Sequence, residues 1–194
     1  MRKKDDPFYS PMPRAMITVC VVCLAGTAVL AALYSHLDAG WLLSCAITTG
    51  TVAYHMLIRF LSPLIVVALT GRRYDYRQPW FRTHTWEMRL YDRIGVQQWK
   101  KHVPTWDPAQ FSLERHSLEE IALNMCHAEL VHEVIVVLSF TSLLFAIPFG
   151  AFPVFLITAV LAAAFDSMFV IVQRHNRPRI VMILDRRAQR AQRT

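Results

Sequence analysis

Glycine is scarce in this chain, at six of 194 residues, and no Gly-rich phosphate loop, nucleophile elbow or histidine box is built from the residues present. The sequence therefore lacks the usual signals of P-loop phosphoryl transfer and of serine-hydrolase chemistry. Cysteine is rarer still, at four residues. The Cys20-Val-Val-Cys23 spacing would suggest metal or redox chemistry in a soluble protein. Here it lies inside a bare apolar run, where cysteine serves as a small packing residue. Repeats of 20–50 residues and low-complexity tracts are absent, which excludes solenoids and disordered tails. Charge is missing altogether from residues 16–34.

What the chain does have is apolar length. Four stretches are each long enough to cross a hydrocarbon core of about 30 Å, and they predict spans at 16–36, 41–62, 125–147 and 152–172. The second apolar stretch runs on to residue 69, carries His55, Arg59 and Pro63, and is predicted to bend near Pro63. The third and fourth are separated only by Pro148-Phe149-Gly150-Ala151-Phe152-Pro153, a connection that forces an antiparallel hairpin. Of the 21 Lys and Arg, four precede the first span, nine lie at 71–115 and seven follow residue 172. By the positive-inside rule both termini and the central segment are cytoplasmic. Residues 1–14 read as the start of a retained anchor, because no small-residue cleavage pattern closes the apolar run. The prediction is an all-α integral membrane protein, a single membrane domain over 1–194, multi-pass in the cell membrane. A net charge of +7 is then a topology signal suited to membrane lipids and anionic substrates, and no soluble basic domain exists to bind nucleic acid.

The central segment, 71–120, interleaves Trp80, Trp86, Trp99 and Trp106 with cations, as a membrane-interface segment requires. Its 85–101 portion has helical patterning interrupted at Gly95, giving either one weakened helix or two short ones. Ser117 and Glu120 form a capping-box pattern that starts the third span's helix. After the fourth span, Pro178 is expected to end the helix. Residues 179–193 then form a separate basic amphipathic helix on the membrane surface.

Counting from the two outer turns places His55, His132 and Asp166 at nearly one depth, with Glu129 and Arg59 about a turn further in. Ionisable groups at that level of an apolar helix need a reason. Glu129 and His132 are three residues apart and share a helix face. Glu133 completes that patch, while His127 faces elsewhere, toward Glu120 and Asn124. A neutral imidazole can take a proton from a hydroxyl as it attacks a thioester, while a carboxylate fixes the ring's tautomer. Glu129 and His132 are therefore the candidate catalytic pair, and Arg59 or Arg174 can bind donor phosphates or steady an oxyanion. The competing reading is a buried ion-pair network between helices, with Asp166 the partner of Arg59 or His55. Glu-x-x-His is also the unit of diiron bundles, but that chemistry needs two copies and only one is present, so no metal is assigned.

Three elements in order, Val96-Gln97-Gln98-Trp99-Lys100-Lys101, Ala128-Glu129-Leu130-Val131-His132 and Val172-Gln173-Arg174-His175-Asn176-Arg177-Pro178-Arg179, resemble the glycosyl-4,4'-diaponeurosporenoate acyltransferases of the staphyloxanthin pathway. The resemblance covers about 85–190, with His175 where that family carries Tyr and Glu133 where an aromatic often stands. It implies a multi-pass membrane enzyme that esterifies a sugar hydroxyl of a carotenoid glycoside or related lipid with a fatty acyl group. It carries over Glu129, His132, Gln173, Arg174, Asn176, Arg177 and Arg179, and the arginines read as a clamp for a phosphate-bearing donor. His55, Arg59 and Asp166 join them as candidate substrate-binding residues. No cofactor is expected, since the acyl group arrives on an activated co-substrate such as acyl-CoA. The alternative is a non-catalytic membrane subunit or lipid-binding scaffold, in which Glu129 and His132 would be packed and fully paired instead of lining an open site.

Overall fold

The computed structural model describes residues 9–193, which form helices and turns and, among the described residues, no strand. The helices are α1 (Met12–Leu37), α2 (Gly40–Thr70), α3 (Thr85–Arg93), α4 (Val96–Trp99), α5 (Leu118–Ser139), α6 (Ala146–Phe149) and α7 (Phe152–Ala191). Four helical stretches are long and apolar enough to cross a membrane: α1, α2, Leu118–Phe149 and α7. The part of the predicted anchor at residues 1–8 lies outside the described residues.

α1 buries Cys20 and turns Val21, Val22, Val29 and Leu33 outward, as a helix solvated by lipid does. It packs on α2, where Thr27 and Thr49 share a hydrogen bond of 2.8 Å. At Gly50 an added Cβ would come within 3.4 Å of the Thr27 methyl, so the absence of a side chain sets how closely these helices approach. α2 winds on through Pro63 to Thr70, past the predicted end of its span. α5 packs against both α2 and α7, and Ile58, Val66, Val131 and Ile135 form the buried cluster where α2 meets it.

The predicted capping box is present: Ser117 Oγ accepts from Glu120 N at 3.2 Å and Glu120 accepts from Ser117 N at 2.8 Å. Beyond Ser139 the third apolar stretch tightens into a 3-10 helix, Phe140–Phe145, and hydroxyls satisfy carbonyls released by the change of winding. Tyr54 donates to Leu138 O at 2.7 Å and Ser142 to Ser139 O at 2.8 Å. In the central segment the two-helix alternative is realised. Gly95 takes φ 65°, a left-handed conformation open to glycine, and separates α3 from α4.

One expectation fails. α7 does not stop at Pro178 but continues as a single 40-residue helix to Ala191, so the separate helix at 179–193 does not exist. Proline removes the N–H that would bond the carbonyl four residues back, which is Arg174 O. Thr83 Oγ1, from the central segment, donates to that carbonyl at 2.8 Å and replaces the missing bond. At about 1.5 Å per residue α7 is about 60 Å long, twice a hydrocarbon core. Its Lys- and Arg-free part ends at Gln173, and the remainder carries six arginines, with Arg193 beyond the helix end.

Candidate functional site

Two polar clusters form where α2, α5 and α7 meet the central segment. The first is built around Glu129, which is 0 % exposed. Its Oε1 accepts from Arg174 Nη1 at 2.7 Å, and its Oε2 accepts from Arg177 Nη1. Arg177, 1 % exposed, also donates through Nε and Nη2 to Phe81 O. Arg174 reaches further into the central segment: Nε and Nη2 donate to the two oxygens of Glu87 at 2.8 and 3.1 Å. It also donates to Trp80 O and Arg82 O, each at 3.1 Å, so all five of its N–H groups are engaged. Glu87 in turn caps α3, accepting from His84 N at 2.5 Å. Burial pushes its carboxyl up, but the Arg174 guanidinium and the His84 N–H outweigh that and hold it below the ordinary carboxylate value. Two carboxylates and two guanidiniums thus balance in charge, as a buried ionic group must to be tolerated.

The second cluster joins three helices. His132 Nδ1 lies 3.0 Å from Asp166 Oδ1, and Arg59 Nη2 pairs with Asp166 Oδ2. Arg59 is steadied by a 2.6 Å bond from Nη1 to His55 O. Asp166 is 1 % exposed, whereas the His132 side chain is 21 % exposed. The imidazole stacks on Phe169 with centroids 4.3 Å apart, and the Arg59 guanidinium lies over Phe165. An ionised Asp166 favours the tautomer with the proton on Nδ1. That leaves Nε2 as a lone-pair acceptor, and it makes no hydrogen bond among the described residues. This is the arrangement a general base needs.

The Arg59–Asp166 pair is the one the ion-pair reading expected, but the expected Glu129–His132 pair does not form and His55 joins neither cluster through its ring. Glu129 and His132 share a helix face without bonding to each other, and the carboxylate behind His132 is Asp166. Arg174 and Arg177, expected at a substrate, are engaged by the protein's own carboxylates and carbonyls. Asn176 accepts from Lys100 Nζ at 2.7 Å and so ties α7 to the 3-10 turn after α4. Arg179 is exposed near Lys100, whose ammonium is held below its ordinary value by burial and then by that neighbouring charge. Gln173 is half-buried and makes no side-chain hydrogen bond among the described residues. His55 is buried, and neither ring nitrogen has a partner. His127 turns away from Glu129 as expected, but it meets Tyr74 Oη at 2.8 Å instead of Glu120 or Asn124. Glu133 accepts from Trp80 Nε1 at 3.1 Å and borders a groove of about 400 Å³ with Pro79, Trp80, His84 and Arg174.

Both Glu129 oxygens are engaged by guanidiniums, which makes the carboxylate an ion-pair partner in this structure. Among the described residues no three His, Cys, Asp or Glu side chains gather. Motif spacing holds one further candidate, His102 and Asp107, the His-x-x-x-x-Asp spacing of lipid acyltransferases that face water. They do not form a dyad: Asp107 caps the Pro108–Phe111 turn, accepting from Ala109 N at 3.1 Å, and His102 is exposed. Thr83 and Glu87 are the residues that local patterns miss, since their roles depend on α7 packing against the central segment.

The three sequence elements singled out above converge here, through Lys100–Asn176 on one side and Glu129–Arg174–Arg177 on the other. No curated protein and no solved structure matches the chain. A model of one family does match, over residues 77–186, a range that holds both carboxylates of the clamp, both of its arginines, His132 and Asp166 but leaves out His55 and Arg59. With more than half of its length matched, the chain belongs to the glycosyl-4,4'-diaponeurosporenoate acyltransferase family.

Proposed function

We propose that this protein is a multi-pass cell-membrane O-acyltransferase working at the cytoplasmic leaflet. It moves a fatty acyl group from an activated thioester to a hydroxyl of a lipid or glycolipid, of which a carotenoid glycoside is the example in the family's name. The observation that carries the reading is the His132–Asp166 contact at 3.0 Å, with Asp166 held by Arg59 and Nε2 left free. In the reaction His132 Nε2 accepts the proton of the acceptor hydroxyl as its oxygen attacks the thioester carbonyl. Asp166 stabilises the imidazolium that results. As the C–S bond breaks, the imidazolium returns the proton to the departing sulfur, so the products are an ester and a free thiol. Phe165 and Phe169 beside the dyad give an acyl chain apolar surface to lie on.

Glu129 in this scheme is a positioning residue, not the base's partner. It anchors Arg174 and Arg177 and through them the Trp80–Arg82 backbone. A scaffold without catalysis would account for that clamp, but it gives no reason for an imidazole oriented by a buried carboxylate and left unpaired at Nε2. Mass spectrometry of membrane lipids with and without the gene tests the assignment. Loss of an ester-linked lipid, restored by the wild-type gene and not by His132→Ala, is the expected outcome. An unchanged lipidome under expressing conditions would sink it.

A further inference from the structure

The catalytic scheme leaves unused a groove of about 660 Å³ between the 76–83 segment and the projecting half of α7. Phe81, Pro178, Val181 and Met182 make part of it apolar, and Tyr76 adds a ring at its edge. Of the cations that line it, Arg177 is engaged by Glu129, and Arg77 is matched across the groove by Asp185 at 2.7 Å. Arg82, whose Nε donates to Arg77 O at 3.1 Å, and Arg186 remain, one from each wall, exposed and without a carboxylate partner among the described residues. Two guanidiniums facing one concavity with an apolar floor suit a phosphate ester that also carries an organic ring.

Distance narrows the ligand further. The α7 wall begins at Arg177, eleven residues beyond Asp166, which is about 16 Å along the helix axis at about 1.5 Å per residue. A molecule whose phosphate meets Arg186, twenty residues and about 30 Å beyond Asp166 on the same helix, while its acyl carbonyl meets His132 must span most of that distance, less the reach of the arginine side chain. In a glycerophospholipid they are only a few bonds apart. In a phosphopantetheine-type thioester a long flexible arm divides them. We propose that this groove holds the nucleotide-phosphate end of such a donor, with Arg82 and Arg186 as its phosphate ligands. The inference rests on the acyl-transfer reading for the reaction but not for the binding site, which is tested by itself.

The experiment is calorimetric titration of free coenzyme A into the full chain in nanodiscs of zwitterionic phosphatidylcholine. Saturable binding is expected, about tenfold or more weaker in Arg82→Ala/Arg186→Ala. Arg187→Ala/Arg190→Ala, which removes two cations of the same helix outside the groove, should bind as the wild type does. Equal weakening in both double variants, or equal binding of inorganic phosphate, would reduce the effect to general surface charge and overturn the proposal. Loss of coenzyme A binding when phosphatidylglycerol replaces part of the lipid would overturn it in favour of a headgroup site. In turnover assays the groove variants should raise KM for the thioester and leave kcat near wild type. An unchanged KM beside an inactive His132→Ala would refute the groove and keep the transferase. Tight groove-dependent coenzyme A binding beside a fully active His132→Ala would do the reverse.

Discussion

Glu129→Gln is the substitution that most sharply separates a positioning role from a chemical one. The carboxylate is completely buried and shared by two guanidiniums, one of which, Arg177, is itself 1 % exposed. Glutamine keeps the volume but removes the charge, and its amide nitrogen must face an arginine N–H, donor against donor. Removing one partner of a buried pair typically costs about 3–5 kcal/mol, because the other charge stays buried and uncompensated. For a chain of this size that is a fall in Tm of about 6–20 °C. Arg177→Met should cost less, since Glu129 keeps Arg174, although Phe81 O loses both of its donors. Because the two residues contact each other, the double variant should be less damaged than the sum, with a coupling of about 0.5–3 kcal/mol. Cys126, 0 % exposed on α5, provides the assay: in a background with Cys20, Cys23 and Cys45 replaced by Ala, its reaction with a thiol-specific fluorophore during heating in detergent reports unfolding. The reasoning fails if the two losses simply add. It also fails if Glu129→Gln melts with the wild type yet has no activity, since Glu129 would then act on substrate.

The hydroxyl that replaces a proline's missing N–H gives a second test. Thr83→Val should cost about 1–3 kcal/mol by orphaning Arg174 O. Pro178→Ala in the same chain, which restores the helical N–H, should recover most of that in a double-mutant cycle, and no recovery would show that the carbonyl is not what Thr83 serves. Acid offers a third. Glu87's folded value lies below the ordinary 4.5, so its contribution is fully present above about pH 4.5 and is lost as pH falls through the folded value. Glu87→Gln should therefore melt lower at pH 7 but lose less between pH 5 and pH 3 than the wild type. Parallel melting curves for the two proteins over that range would contradict it.

Much of this organisation is legible along the chain because it is local. Apolar run length marks the four helices long enough to cross a membrane, Ser117 and Glu120 mark a helix start, and Gly95 marks a break that needs positive φ. That His132 and Asp166 come level with each other follows from counting helical turns. What counting cannot supply is which neighbour wins. Glu129 and His132 lie on one helix face, which makes them an obvious pair, yet each finds a better partner on α7, from side chains 45 and 34 residues away respectively. Pro178 fails as a helix stop for the same reason. The compensating donor is Thr83, 91 residues before the carbonyl it serves. The arginine-rich element at 174–179 was visible as a motif, but whether guanidiniums face a substrate or the protein's own carboxylates is decided by tertiary packing.

The central claim is that His132, oriented by Asp166, is the base of an acyl transfer. The direct measurement is turnover of an acyl thioester and a lipid hydroxyl acceptor by purified wild type, His132→Ala and Asp166→Asn, with Tm recorded for each. kcat should fall about 10²–10⁴-fold in both variants, the range expected for losing a general base or the group that holds it in the correct tautomer. His132→Ala, at a partly exposed position, should keep a Tm close to wild type. A folded His132→Ala protein that turns over at the wild-type rate would contradict the account.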